Sequence, residues 1–280
     1  MKILVTGANG YLGSGVVKQL CCDGINVVAT DYEAGEIDTR AEVKTCDLFD
    51  VENPYEYFGK PDVLVHMAWR NGFVHNDISH VNDIPKHYMF IKSMVDGGCK
   101  HIAMMGTMHE VGFHEGSINE YTPTHPECLY GISKDALRNM VDFLCKHAGA
   151  TYQWLRGYYI VGNSEKGASI FSKITAAEKI GQEKFPFTMG MNQCDFIDYD
   201  EFCKQVSATV VQDKINGVIN ICYGRPEKLS DRVERFIEEN GYKIKLEYGK
   251  FPDRPYDSKA VWGDDKKIRE ILKEYRCDAE

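Results

Sequence analysis

The chain has 280 residues, of which 43% are apolar and 27% are charged, a composition typical of a globular protein with a sizeable core. Its formal net charge is −9, and its lysines and arginines are spread along the chain. Nucleic acid is therefore excluded as a main partner, because phosphate binding needs a clustered positive field. The longest apolar runs have the length of strands, so no membrane span is predicted.

The first half of the chain alternates strand-like and helix-like runs. Strands are predicted over residues 2–6, 26–31, 42–46, 62–66, 100–105 and 151–158, and helices over 12–22, 82–97 and 127–148. Short apolar strands that alternate with helices predict a Rossmann-type α/β fold with a doubly wound parallel sheet. The first predicted strand starts at Lys2, so we expect no targeting segment and a cytoplasmic protein.

The second half of the chain is less regular. Helices are predicted over 169–180, from a cap at Asp198 to about 211, and over 229–239 and 264–274, with strands over 217–222 and 243–247. We therefore predict a nucleotide-binding Rossmann domain over 1–160 and a smaller C-terminal lobe, mainly substrate-binding, over 161–280. The chain is free to cross between the two lobes more than once.

The ten cysteines raise the question of a metal or disulfide site. No pair has the C-x-x-C spacing, and most lie among apolar neighbours, so we predict buried thiols and no metal. The segment HEVGFH resembles a zinc-protease signature. Its two histidines, His109 and His114, are five residues apart, where that signature needs four.

A glycine-rich turn, TGANGYLG, joins the first strand to the first helix. Gly7 permits a tight turn, Gly10 lets the backbone approach a pyrophosphate, and Gly13 allows the helix to pack closely on the sheet. The N-terminus of the helix also attracts phosphate. These features predict an NAD(P) site that includes Gly7, Asn9, Gly10, Tyr11, Leu12 and Gly13.

Two acidic residues follow at the ends of the next strands. Asp31 lies 24 residues after Gly7, where a carboxylate can bind both ribose hydroxyls of NAD and repel the 2′-phosphate of NADP. NAD is therefore predicted as the cofactor, with NADP as the alternative, and an ordinary loop aspartate is the other interpretation of Asp31. Asp47 and Leu48 close the third strand, where Asp47 would face the adenine or serve as a plain strand-end residue.

Tyr130 and Lys134 are four residues apart in a predicted helix and therefore share one face. A nearby ammonium favours the phenolate, so the pair predicts a tyrosine with a lowered pKa for acid–base chemistry. On this spacing alone, a surface tyrosine and a surface lysine remain the alternative.

Together, the glycine turn and the Y-x-x-x-K pair resemble the extended short-chain dehydrogenase/reductase family, of the NAD-dependent epimerase/dehydratase type, which acts mostly on nucleotide sugars. Further matches are HMAW at 66–69, Asn82, Thr107, residues 156–162 and DFID at 195–198. The resemblance implies catalytic roles for Thr107, Tyr130 and Lys134. It also implies cofactor contacts from Met67, Ala68 and Lys134, and a homodimer formed through helices 82–97 and 127–148.

The resemblance implies a reaction at a sugar ketone. Tyr130 would donate the proton, Thr107 would hydrogen-bond the same oxygen, and Lys134 would hold the nicotinamide ribose. Met108 and His109 replace the acid and base of the family's 4,6-dehydratases, so dehydration loses its acid. We expect an NAD(P)H-dependent reductase of a nucleotide-linked 4-keto-6-deoxy sugar such as dTDP-4-dehydro-6-deoxyglucose. The alternatives are a 4-epimerase with tightly bound NAD and a non-catalytic NAD-binding sensor or scaffold.

The expected partner is thus a nucleotide-sugar substrate. Its candidate contacts are Trp69, Arg70, His75, Met108, His109, Arg225 and Arg254. For Trp69, packing in the core is as good an interpretation as contact with the substrate. For Arg225 and Arg254, a solvated surface position is as good an interpretation as contact with the substrate. Tyr159 stands where the family often has asparagine, which removes one usual contact with the nucleotide sugar.

Overall fold

The computed structural model describes residues 1–162, 169–252 and 258–277. The first half contains, in order, β1 (Lys2–Thr6), α1 (Tyr11–Cys22), β2 (Asn26–Asp31), β3 (Glu42–Thr45), α2 (Pro54–Tyr57), β4 (Val63–His66), α3 (Ser79–Gly97), β5 (His101–Thr107), β6 (Gly116–Ile118) and α4 (Leu129–Ala148). Short 3-10 helices follow β3 at Leu48–Asp50 and β5 at Met108–Glu110.

The second half contains β7 (Thr151–Gly157), β8 (Tyr159–Val161), α5 (Ile170–Lys179), β9 (Lys184–Pro186), β10 (Gln193–Cys194), β11 (Phe196–Asp198), α6 (Tyr199–Val210), β12 (Gly217–Ile221), β13 (Glu227–Lys228), α7 (Leu229–Glu239), β14 (Lys245–Glu247), β15 (Ala260–Gly263) and α8 (Lys266–Cys277). Within these described residues, no helix is long and apolar enough to cross a membrane.

Seven parallel strands form the main sheet, in the order β12-β7-β5-β4-β1-β2-β3. The strand order reverses between β1 and β4, so the carboxyl ends of these two strands form the crevice in which this architecture binds ligands. Both faces of the sheet are covered, by α1, α6 and α8 on one side and by α3 and α4 on the other. The predicted Rossmann-type fold is confirmed.

The elements follow from the pattern of apolar residues. All four residues of β4 are buried, as expected for a strand covered on both faces. In α4, Leu137, Val141 and Cys145 recur every fourth residue and are fully buried against the sheet. This packing fixes the position of the N-terminal part of α4 relative to the sheet, with Tyr130 in its first turn and Lys134 in its second.

The chain crosses between layers in its second half. β12 joins the main sheet beside β7, and α6 packs on α1. α5 and α7 instead surround a separate apolar cluster that includes Phe171, Phe187 and Phe236. The boundary predicted at residue 160 therefore separates only part of the second half from the main sheet, and the division into two functional domains stays a prediction.

Three details differ from the sequence analysis. α3 begins at Ser79, three residues before the predicted start, and Asn82 is exposed, whereas Asp83 is buried. Asp198 occupies the N-cap position of α6, but among the described residues its carboxylate accepts hydrogen bonds from Arg232 and Tyr223 instead of capping the helix. The short strands β6, β8–β11, β13 and β15 were not predicted, because two to four residues carry no measurable periodicity.

Candidate active site

The glycine turn has the geometry that a pyrophosphate needs. Gly7 has a φ of 67°, and a Cβ there would lie 2.6 Å from the backbone nitrogen of Ala68. A Cβ on Gly13 would lie 2.0 Å from the carbonyl oxygen of Gly7. α1 starts at Tyr11 with Gly10 as its N-cap, so no side chain shields the N–H groups of its first turn.

A cavity of about 320 Å³ opens beside this turn, at the carboxyl ends of β1, β2, β3 and β4. Thr6 and Gly7 line it from β1, Asp31 from β2, and Leu48 and Ala68 from the turns after β3 and β4. Its position beside the glycine turn and at the switch point of the sheet fits the adenosine half of a dinucleotide.

Asp31 faces this cavity. Its carboxylate accepts hydrogen bonds from the backbone N–H of Asn9 at 2.9 Å and of Tyr32 at 2.8 Å. Two backbone donors leave lone pairs of the carboxylate for the hydroxyls of a ribose. Asp47 also lines the cavity, and its carboxylate accepts from the N–H of Phe49 at 3.0 Å. Its predicted contact with adenine stays a prediction.

The other residues of the predicted cofactor site have structural contacts of their own. The Asn9 side chain accepts a hydrogen bond from the N–H of Glu36, and the Tyr11 ring stacks on Tyr199 at 4.7 Å. Leu12 and Met67 pack against the apolar core. A cofactor contact from these four residues would therefore involve mainly their backbone atoms.

Thr107, Tyr130 and Lys134 converge at one edge of the sheet. Thr107 ends β5, and the other two residues lie in the first two turns of α4. The side chains of Thr107 and Tyr130 are hydrogen-bonded. The Lys134 Nζ donates to the carbonyl oxygen of Met105, on the same strand as Thr107, at 2.8 Å. The structure thus brings together the three side chains that the sequence predicts to be catalytic.

The pKa of Tyr130 moves in the direction opposite to the sequence expectation. Burial raises the pKa of Tyr130, and the hydrogen bond with Thr107 lowers it only in part. Lys134 is not among the groups that shift the pKa of Tyr130, and its ammonium donates to the carbonyl oxygen of Met105. Burial also lowers the pKa of Lys134 to about 7, against the raising effect of the Glu110 charge. Because burial raises the pKa of Tyr130, its hydroxyl is protonated at neutral pH.

The loop after β4 folds over Tyr130. The His75 ring stacks on Tyr130 with centroids 5.6 Å apart, and the His75 carbonyl oxygen accepts from the Tyr130 N–H at 2.8 Å. His109 lies 4.5 Å from His75 between ring centroids. Burial, and then the charge of His75, lowers the pKa of His109 to about 4, so His109 is neutral at physiological pH.

Two buried acids at the site were missed by the sequence analysis. Glu110 accepts hydrogen bonds from the N–H of Thr107 at 2.7 Å and from the Trp154 indole at 2.8 Å. The spacing T-x-x-E, Thr107 to Glu110, is a capping-box signature that would have found it. Asp83 lines the cavity and directly follows Asn82, the residue that matches the asparagine of the family. Each residue turns a helix by about 100°, so the two side chains face different directions.

The remaining candidate substrate residues lie in different places. Trp69 and Arg70 line the cofactor cavity, and the Arg70 Nε lies 2.5 Å from the Asp83 carboxylate. Met108 packs against the apolar cluster of Val111 and its neighbours. The Arg225 guanidinium lies 5.7 Å from the centroid of the Tyr223 ring. Arg254 lies outside the described residues. We therefore reassign Arg70 to the cofactor end, as a proposal.

A sequence model of the NAD dependent epimerase/dehydratase family matches residues 3–222. The chain belongs to this family. A curated relative, the dTDP-6-deoxy-L-talose 4-dehydrogenase (NAD(+)) of Aggregatibacter actinomycetemcomitans, is 42% identical over 270 residues, which cover 94% of this chain and 99% of the relative. The predicted resemblance is confirmed, as are the predictions of an enzyme and of NAD as its cofactor.

Solved structures of this family share the fold. The UDP-N-acetylglucosamine 4-epimerase from Methanobrevibacter ruminantium M1 superposes with a TM-score of 0.84 at 19% identity, covering 96% of this chain and 91% of that chain. A UDP-glucose 4-epimerase superposes with a TM-score of 0.85 at 19% identity, covering 98% of this chain and 92% of that chain. At these identities the comparison establishes the fold alone.

Replacing Asp31 by alanine is expected to weaken NADH binding by about tenfold or more, since a hydrogen bond to a charged group contributes ~1.5–3 kcal/mol. NADPH should bind the variant better than it binds the wild-type protein, because the charge that repels its 2′-phosphate is gone. Titration with both cofactors measures the two Kd values. Glu33→Ala is the matched control, since Glu33 is exposed and lies outside the cavity. Equal effects of the two substitutions would contradict the role of Asp31.

Proposed function

We propose that this enzyme uses NADH to reduce the 4-keto group of a dTDP-linked 6-deoxyhexose, and that it catalyses the NAD-dependent oxidation in the reverse direction. The observation that carries the proposal is the relative matched over 99% of its length at 42% identity, whose name specifies dTDP-6-deoxy-L-talose and oxidation at C4. The convergence of Thr107, Tyr130 and Lys134 supports a ketone or alcohol as the reacting group.

The side chains divide the work of the reduction. NADH, when bound, supplies the hydride that adds to C4. Tyr130, protonated because burial raises its pKa, donates its proton to the oxygen on which negative charge develops. Thr107, hydrogen-bonded to Tyr130, is placed to bond the same oxygen, and Glu110 holds Thr107 through its backbone N–H. Lys134 lies one turn further along α4, over the ring of Trp69, which lines the cofactor cavity.

The surroundings of Thr107 favour reduction over loss of water. Met108 follows Thr107 and packs among apolar residues, so it offers no proton for a leaving hydroxyl. His109 is neutral, since burial lowers its pKa to about 4. A ketone reduction needs neither residue as an acid, because Tyr130 supplies the one proton that the product gains.

The proposal is tested with a panel of dTDP- and UDP-linked sugars, half with a 4-keto group and half with a 4-hydroxyl group. We expect each dTDP-linked 4-keto-6-deoxyhexose that is reduced to consume one equivalent of NADH. NMR should identify the matching dTDP-linked 6-deoxyhexose as the product. Interconversion of 4-hydroxy sugars by protein that carries NAD after purification, without net oxidation, would replace the proposal by 4-epimerisation. If no ketone of the panel is reduced with NADH or NADPH, the proposed reduction is excluded.

We also propose that the protein is a homodimer that pairs through α3 and α4. Both helices carry exposed apolar side chains, namely Val81 and Met89 on α3 and Ile132 and Phe143 on α4. Ile132 and Phe143 are eleven residues apart and therefore share one face of the helix. Phe143→Glu should convert a dimer to monomers in sedimentation equilibrium, whereas Phe113→Glu, at an exposed position off both helices, should leave it intact. A wild-type monomer would refute the dimer.

A further inference from the structure

The ammonium of Lys134 is buried without a carboxylate beside it. Within residues 1–162, 169–252 and 258–277, no Asp or Glu oxygen lies within 4 Å of its Nζ. Its hydrogen bond goes to a neutral acceptor, the carbonyl oxygen of Met105. A buried cation needs compensation for the water that it has lost. A carbonyl oxygen and the more distant charge of Glu110 supply only part of it.

The indole of Trp69 supplies a further negative surface. The Lys134 Nζ lies over the Trp69 ring, 4.0 Å from its centroid. The negative face of an aromatic ring attracts a cation, most strongly for tryptophan and for a cation removed from water. Trp69 also lines the cofactor cavity, together with Ala68 and His87. The same side chain therefore contacts both the cavity and the ammonium of Lys134.

Histidines of α3 fix the orientation of this ring. The Trp69 Nε1 donates to the Nδ1 of His80 at 3.0 Å, and the Nε2 of His80 lies 3.0 Å from the carbonyl oxygen of Val74. Both bonds are made only if Nδ1 accepts and Nε2 donates, which is the neutral tautomer of His80. The Trp69 ring also stacks on His87, with centroids 4.6 Å apart and planes 15° apart. The indole therefore has few other orientations open to it.

We propose that Trp69 is a positioning residue for Lys134, whose indole face stabilises the charged form of the buried ammonium and holds it beside the carbonyl oxygen of Met105. The sequence analysis had considered Trp69 as a substrate contact or a core residue. Only the expected effect of Trp69 on turnover rests on the proposed reductase function. The arrangement of Trp69 and Lys134 can be measured in the protein without substrate or cofactor.

Two effects of removing the indole have opposite signs. Loss of the ring face destabilises the ammonium and lowers the pKa of Lys134 further below its usual value. Admission of water into the space would instead raise the pKa toward that value. The other titratable groups near Lys134 are Glu110 after β5, His66 at the end of β4, His87 on α3 and Tyr130 on its own helix. A substitution at position 69 replaces none of them, but it removes the ring that stacks on His87.

The experiment follows the Cε signals of the lysines during a pH titration of 13C-lysine-labelled protein, with Lys134→Met to assign the signal of Lys134. We expect a midpoint near 7 in the wild-type protein. Trp69→Leu should lower the midpoint by about one pH unit, equivalent to ~1.4 kcal/mol. Trp69→Phe keeps an aromatic face and should lower it by less than half as much. Trp262→Phe, on β15 and outside the cavity wall, is the control and should leave it unchanged.

A midpoint that rises in Trp69→Leu, or that shifts equally in the leucine and phenylalanine variants, would overturn the proposal, since Trp69 would then only fill space. In turnover, Trp69→Leu should lower kcat and move the alkaline limb of the pH–rate profile to lower pH, with Trp69→Phe between it and the wild type. If the wild-type protein reduces no ketone, the proposed function fails, but the titration still decides the contact between Trp69 and Lys134.

Discussion

Tyr130→Phe is expected to lower kcat for ketone reduction by about 10²–10⁴-fold, the range that a positioned general acid contributes. The substitution removes the proton donor and leaves the ring contacts with His75 and His80 in place. NADH affinity should therefore change little, and the unfolding free energy should stay close to that of the wild-type protein. Steady-state kinetics, with a separate titration of NADH, measures the two effects.

The matched control for this prediction is Tyr121→Phe. Tyr121 is 84% exposed and lies in the loop before α4, so loss of its hydroxyl should leave kcat unchanged. A Tyr130→Phe enzyme with kcat within a factor of a few of the wild type would show that another group supplies the proton. His109, neutral and 6.0 Å from Tyr130 between ring centroids, would then be the next candidate.

Gly13→Ala is expected to abolish tight cofactor binding and to destabilise the protein. The new Cβ would lie 2.0 Å from the carbonyl oxygen and 2.8 Å from the carbonyl carbon of Gly7, and neither backbone atom can rotate away. The helix must move off the turn, which costs ~1–3 kcal/mol, as overpacking does elsewhere. NADH affinity should fall by at least about tenfold, equivalent to ~1.4 kcal/mol, because the first turn of α1 no longer faces the phosphates.

Urea denaturation and NADH titration measure the two consequences separately. Gly72→Ala serves as the control, because no atom lies within 4 Å of a Cβ at Gly72, and its backbone does not need glycine. We expect its stability and its NADH affinity to match those of the wild-type protein. A Gly13→Ala protein that binds NADH as tightly as the wild type would mean that the dinucleotide lies elsewhere than at the glycine turn.

The long elements could be predicted from the sequence because each carries a local signal. α4 shows the apolar period of Leu137, Val141 and Cys145, so Tyr130 and Lys134 could be placed together on it. The glycine turn follows from the spacing of Gly7, Gly10 and Gly13 between a strand and a helix. Both signals are contained within about twenty residues, and tertiary contacts do not alter them.

The path of a loop has no such local signal. Trp69 was placed near the substrate because it follows β4, and only the tertiary structure shows its ring over Lys134. The pKa of Tyr130 was expected to fall because spacing shows a neighbouring lysine and cannot show burial, which has the larger effect. α3 begins at Ser79, about one turn earlier than its sequence indicates, and Asp83 was not singled out because its place in the cavity wall depends on how that helix packs.

The most direct test of the proposed reaction is transfer of deuterium from NADH deuterated at C4 of the nicotinamide. The protein is incubated with a dTDP-linked 4-keto-6-deoxyhexose and each of the two stereospecifically labelled forms of NADH. We predict that one form alone transfers its label, that the label appears at C4 of the resulting 6-deoxyhexose, and that one NADH is oxidised per product. Product without label from both forms, or no product from either, would contradict the account.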